Sequence, residues 1–312
     1  LGDPAQLPPV GLDISPALDV ARLKRGGMAV SRAVMTEVVR QQLDSGILYN
    51  ATRLRRSLRR RPLAAPRFSV KRFPDIRIVE GTDLIDEVAV AYSDDGIENT
   101  LLVTRSNRSA TAANMAIRNS VLYSEEEICR GERLMIAKNN YLWTLPREGL
   151  DFIANGDIAT IEAIHSTENL HGFRFADVAL TLPHAGVTID CKIILDALVA
   201  DTPALPADAF QRLYMARLEQ ATDPMRTLPQ RRAQLRRDPY LNALQVKYAY
   251  AVTCHKAQGG QWKNVMVDLS GLSIPSDAPE TEMVNLYRWL YTAFTRATRR
   301  LYLINPPESW IY

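Results

Sequence analysis

The sequence predicts an α/β domain interrupted by a mostly β insert, and three observations lead there. Apolar runs without polar alternation, such as TLLVT at 100–104 and VMVDLS at 265–270, alternate with stretches of helical spacing. That is the pattern of strands covered on both faces of a sheet. From about 131 to 240 the pattern changes to short alternating pieces separated by Gly, Pro, Asn and Asp, which is the signature of a small barrel or sandwich.

In chain order, LGDPAQLPPV at 1–10 reads as the end of a buried strand running into a Pro-rich loop. Residues 17–60 carry helical spacing, with apolar positions at Val34, Val38, Leu43 and Ile47. A basic run follows, RLRRSLRRRP, in which Arg53, Arg55, Arg56, Arg59, Arg60 and Arg61 precede Pro62, with Arg67 just beyond. It is either a solvated helical face or a strip that contacts phosphates. DLIDEVAVAYSDDG predicts a helix ending at a turn, and NTLLVTRSNRSATAANMAIRNSVL a strand, a loop and a helix. The Asp-Glu of LIDEV resembles an ATPase metal strand only superficially, because helical spacing continues through Val90.

Inside the insert, RLMIAKNNY, DIATIEAIH, FRFADVALTL and VTIDCKIIL are the expected strands, and residues 207–237 return to helical composition with basic Arg231, Arg232, Arg236 and Arg237. After Pro239, YAYAVTCHKAQGG reads as a strand entering a Gly-rich loop, then come the VMVDLS strand, a helix over 281–298 and a last strand, RLYLINP.

Composition bounds the function without deciding it. With 46% hydrophobic and 23% charged residues among 312, the chain is of ordinary globular type, which excludes a disordered or fibrous protein. A net charge of +3 permits a polyanionic partner and does not establish one. Cys129, Cys191 and Cys254 form no CxxC pair, so neither a zinc ribbon nor a disulfide framework is expected, and a reducing cytoplasm is the expected compartment. No apolar run approaches the roughly 18 to 20 residues that span a bilayer. His165, His171 and His184 lack metal-site spacing, so no protein metal site is expected.

Three short runs carry the chemistry. Gly2-Asp3-Pro4-Ala5-Gln6-Leu7-Pro8-Pro9-Val10 opens the chain, Thr253-Cys254-His255-Lys256-Ala257-Gln258-Gly259 lies near its end, and Tyr291-Thr292-Ala293-Phe294-Thr295-Arg296-Ala297 follows. The Gln6 amide can donate to a phosphate or a water and accept from a neighbour, so it can report a third phosphate. Arg296 carries a planar fork suited to charge developing in phosphoryl transfer. Gly259 and Gly260 allow close backbone approach, while Thr253 and His255 can donate to a nucleic-acid phosphate. Trp262 and Trp289 could stack on bases, or pack in the core.

Taken together and in this order, the runs resemble motifs III, V and VI of superfamily 1 DNA helicases of the RecD/Dda-like branch. The resemblance implies a RecA-like fold of the P-loop NTPase type for 65–130 with 241–312, an SH3-like barrel at 131–240, and for 1–64 the tail of a first motor domain with a connector. It implies ATP and Mg²⁺ as ligands, single-stranded DNA as partner, and 5′ to 3′ movement. Asp3, Gln6, Arg40, Gly259, Gln261 and Arg296 would then face the nucleotide, with Gln6, Arg40 and Arg296 acting in catalysis. Arg40 otherwise reads as a surface arginine paired with Glu37. Thr104, Arg105, Asn107, Thr253 and His255 would contact DNA. Gln261 stands where the family pattern often has Glu, which leaves its contacts open.

The GxxxxGK[ST] loop that cradles phosphates is absent, since the sequence contains no Gly-Lys dipeptide. In the family that loop and the acidic Mg²⁺ strand precede motif III, so the chain reads as a C-terminal fragment beginning after them. Two other readings stay open: a non-catalytic DNA-binding module of helicase descent, and the helicase part of a larger nuclease or mobilisation protein.

Overall fold

The computed structural model describes residues 2–34, 44–146, 149–220, 227–275 and 277–312. Two compact units emerge, Leu1–Arg105 with Val252–Tyr312, and Ser106–Ala251.

The first unit is built on five strands: β1 (Ile76–Val79), β2 (Thr100–Thr104), β8 (Ala251–Thr253), β9 (Trp262–Asp268) and β10 (Ala297–Ile304). Their order is β1-β10-β9-β2-β8. The pairs β1/β10, β10/β9 and β2/β9 are parallel, with Leu101 opposite Val265 and Ile76 opposite Leu301. Every residue of β2 is buried, as are Asn264 to Val267 of β9, which explains why these strands read as unbroken apolar runs.

Helices complete the unit. α1 (Val20–Arg25) stops at Gly26 and Gly27, the latter with φ +80°. The continuous helical stretch expected over 17–60 is thus broken by two glycines, and Val38 and Leu43 lie outside the described residues. α2 (Gly46–Ser57) begins where the Asp75 carboxylate accepts from Ser45 Oγ (2.7 Å) and Gly46 N (3.0 Å), and buries Ile47, Ala51 and Leu54. α3 (Leu84–Asp95) ends at Gly96, whose φ of +89° suits a residue without Cβ, and the LIDEV segment is helical as expected. α7 (Glu280–Phe294) buries Met283 and Tyr287 on one face and then every residue from Trp289 to Phe294, so its last turns are enclosed all round.

Two expectations are corrected here. Residues 2–10 form turns rather than a strand end, because Pro4, Pro8 and Pro9 cannot continue a ladder. The helix expected over 281–298 stops at Phe294, so Arg296 sits in the turn that launches β10 at Ala297. β1 escaped the sequence reading altogether.

The second unit begins with α4 (Asn107–Ser120), followed by β3 (Arg133–Ile136), β4 (Ile158–Leu170), β5 (Phe173–Leu182), β6 (Val187–Ile194), α5 (Ala207–Gln220), α6 (Leu228–Leu235) and β7 (Leu244–Tyr248). Strands β3 to β7 close into a barrel in sequence order, antiparallel except for β6/β7. Its closing strand lies past the 240 expected as the insert's limit. The run YAYAVT therefore divides: Tyr248 ends the barrel, and Ala251 opens β8.

α4 also falls in the barrel unit, although the sequence pattern groups it with 241–312. Side chains bind it there. Asn114 Oδ1 accepts from Tyr250 N (3.0 Å) and Ala251 N (2.8 Å). Arg118, 2% exposed, donates from Nε (3.0 Å) and Nη2 (2.9 Å) to Glu132 and lies 4.3 Å from the Tyr248 ring. Burial works against the Arg118 charge and the Glu132 carboxylate outweighs it, so Arg118 holds its proton more tightly than usual.

Candidate nucleotide site

The three sequence runs converge within the first unit. Leu7 is held from both sides: its N–H donates to Thr292 Oγ1 (2.9 Å), and its carbonyl accepts from Gln258 Nε2 (2.8 Å). Two residues more than 250 positions away thus hold the backbone of one residue. Asp3 anchors the same loop, accepting from Ala5 N at Oδ1 (3.0 Å) and from Tyr291 Oη (2.7 Å) and Arg55 Nη1 (3.0 Å) at Oδ2. Burial, joined by the neighbouring Asp3 carboxylate, pushes the Tyr291 hydroxyl up to about 12, so it remains a donor. With both oxygens engaged, Asp3 holds the loop rather than offering itself to a ligand.

Gln6 lies at the turn this makes, its N–H on the Asp3 carbonyl (3.1 Å) and its side chain half-buried. Arg296 is 6% exposed. Its Nε donates to the Thr292 carbonyl (3.1 Å), Nη1 to the Gly260 carbonyl (2.9 Å) and Nη2 to Thr295 Oγ1 (3.1 Å). Arg296 thereby ties the end of α7 to the Gly259-Gly260 loop. Gly259 adopts φ +87°, and a Cβ on Gly260 would meet the Trp262 ring at 2.2 Å. Trp262 is therefore a wall of this loop, and Trp289 is buried in the core. Gln261 is exposed beside them. Arg40 lies outside the described residues.

The residues expected to touch DNA separate. Cys254 N donates to the Thr104 carbonyl (3.3 Å), which sets the ends of β2 and β8 side by side. Thr104 itself is buried with its hydroxyl toward the Val252 carbonyl (3.5 Å), so it is no surface donor. Arg105 and His255 are exposed and Thr253 is half-buried; Asn107 starts α4 in the other unit. Partial desolvation lowers the His255 pKa, and a hydrogen bond with the Pro8 backbone opposes it.

Several residues here escaped the sequence reading. Gln258 and Thr292 belong to the quoted runs, so their letters were visible but not their shared target. Lys256 belongs there too; burial lowers its amine to about 8. Arg55 had no distinguishing signal among its basic neighbours.

In the barrel unit, Lys138, Phe210, Arg236 and Arg237 line a recess of about 430 Å³ that also includes Tyr141. The exposed Tyr141 stacks on Phe152 at 5.7 Å. Among the described residues no group of three or more His, Cys, Asp or Glu could hold a metal ion. Nor is any described helix long and apolar enough to cross a membrane.

Comparison with known proteins follows this geometry. Residues 248–304, which contain the second and third runs, match the sequence model of the UvrD-like helicase C-terminal domain. Comparison with curated proteins gave no match. Among solved structures, a Pif1 helicase from Candida albicans is 14% identical, with 99% of this chain and 63% of that one covered at a TM-score of 0.47. A Pif1 helicase from Bacteroides in complex with ADP-AlF3 and ssDNA is 12% identical, with 86% and 50% covered at a TM-score of 0.39. The chain spans less than two thirds of either structure.

Proposed function

We propose that the chain is the C-terminal motor portion of an ATP-dependent DNA helicase of superfamily 1, RecD/Dda-like, acting in DNA repair or recombination in the cytoplasm. The carrying observation is the convergence on Leu7 of Gln258 and Thr292, which joins all three runs in one unit. A loop clamped in this way can pass a change at Gln6 to both the His255 loop and the Arg296 turn. Nucleotide state and DNA contact are then coupled through short hydrogen bonds.

In this reading Gln6 senses the γ-phosphate and Arg296 leaves some of its carbonyl partners to neutralise charge in the transition state. Gly259, Gln261 and Arg40 contact the nucleotide. The first unit is RecA-like and the barrel SH3-like. DNA phosphates meet Arg105, Asn107, Thr253 and His255, while the Tyr141-Phe152 pair and the cations of the barrel recess suit a single strand. Mg²⁺ and the ATP phosphates are gripped mainly by a phosphate loop and an acidic strand that these 312 residues do not include.

The test is ATP hydrolysis with and without single-stranded DNA. A longer protein carrying these residues behind a phosphate loop is expected to be stimulated by DNA, and Arg296→Lys, which keeps the charge and loses the fork, to lower kcat by at least about 100-fold with DNA affinity little changed. The 312 residues alone are expected not to hydrolyse ATP. Unaltered kcat in the lysine variant, or DNA-stimulated hydrolysis by the short chain, would contradict this.

A further inference from the structure

The basic run singled out in the sequence is not absorbed by the nucleotide site. Between residues 53 and 77 there are ten Arg or Lys side chains and one acid, Asp75, in a chain whose total charge is +3. Asp75 is spent on the N-terminus of α2, where it accepts from Ser45, Gly46 and Ile47. Elsewhere, among the described residues, only Arg55 and Arg61 of this stretch find carboxylates, those of Asp3 and Glu280. Arg56, Arg59, Arg60, Lys71 and Arg77 are exposed and have no acidic side chain within 4.0 Å among the described residues.

A second observation is independent of this count. The guanidiniums of Arg53 and Arg67 both lie over the ring of Tyr312, at 5.1 and 5.3 Å. One aromatic ring therefore holds two like charges near each other. The dipole of α2 does not call for such an excess, since it amounts to about half a charge at the C-terminus and Arg61 already bonds the Leu58 carbonyl there (2.9 Å).

The chemistry selects the partner. Nine of the ten cations are arginines, whose forks match phosphate oxygens in pairs. The stretch exposes no large apolar side chain that could enter a bilayer. Cations already lie over its rings, Arg53 and Arg67 over Tyr312, Arg53 over Tyr49 and Arg72 over Phe73, so these rings hold guanidiniums at the surface rather than being kept clear for a base. We infer that residues 53–77, Arg55 excepted, form a second polyanion surface that takes the sugar-phosphate backbone of double-stranded nucleic acid without reading its bases. This goes beyond the helicase reading and stands without it, because it needs no ATP.

The experiment is binding of the 312-residue chain to a blunt duplex DNA, read by fluorescence anisotropy across a salt series. Arg56→Ala, Arg59→Ala and Arg60→Ala together are expected to lower the slope of log K against log salt by about 2 to 3, since each lost phosphate contact removes about 0.9. The corresponding triple lysine variant is expected to keep most of the slope. Replacing Arg22, Lys24 and Arg25 of α1 by Ala removes the same charge elsewhere and is expected to leave the slope unaltered. Should the alanine triple not fold, Arg59→Gln with Arg60→Gln, both beyond the end of α2, is expected to lower the slope by about 2. Equal slopes for the α1 and basic-run variants would overturn the inference. So would polyglutamate competing as well as duplex, binding to phosphatidylserine vesicles in preference to duplex, or a loss confined to single strands.

Discussion

Arg296 shows how much one residue is asked to do. Its guanidinium satisfies the Thr292 and Gly260 carbonyls in a nearly dry setting, so it is a structural tie before it is anything else. For that reason alanine is a poor probe: the buried carbonyls it orphans cost roughly 1 to 3 kcal/mol, and lysine separates charge from geometry. Lys256 offers a second test. Burial lowers its amine from the ordinary 10.5 to about 8. Between those values the unfolded chain binds more protons than the folded one, so stability rises as pH increases from about 8 toward 10.5. Lys256→Met should remove that rise in the urea midpoint, and a variant profile parallel to the parent would show that the amine is not depressed. The motif letters themselves were legible in the sequence, because each run is local. Arg55 was not, since what sets it apart from Arg56 is Asp3, 52 positions away. The burial of the Thr104 side chain is likewise a product of the sheet, where every residue of β2 is covered.

At the scale of elements, two packed junctions are exposed to mutation. α4 is fastened to the barrel by the Arg118-Glu132 pair, with Tyr250 Oη adding a 2.8 Å bond to the same carboxylate. Glu132→Ala leaves a buried cation unpaired and should cost about 3 to 5 kcal/mol, whereas Arg118→Met with Glu132→Leu should cost much less. Equal losses measured by urea unfolding would mean that the pair itself, and not the orphaned charge, carries the stability. At the loop after β8, Gly260→Ala drives a methyl against Trp262 and should cost about 1 to 3 kcal/mol. Adding Trp262→Ala should recover part of it, and strict additivity would rule out the clash. Most elements could be read in advance because their periodicities are long and regular. β1 could not: four residues with only Ile76 and Val79 buried give no pattern, and the strand exists because β10 offers it an edge. The end of α7 lies four residues before the expected 298, because no Gly or Pro marks the passage from Phe294 into β10.

For the whole molecule, the sequence pattern placed an α/β body and a β insert, and both exist. The boundary between them moved, to Ser106–Ala251, because side chains of α4 and the strand β7 belong to the barrel in three dimensions. Such long-range hydrogen bonds leave no periodic trace. The helicase reading likewise rests on a relation no single run contains, the convergence of all three on Leu7. It is tested most directly by ATP-driven separation of a duplex bearing a single-stranded 5′ tail, using a protein that carries these residues behind a phosphate loop. The expected result is unwinding that requires ATP and the 5′ tail and fails with a 3′ tail alone. A protein with an intact phosphate loop that binds DNA yet neither separates strands nor raises its ATP turnover on single-stranded DNA would contradict the account.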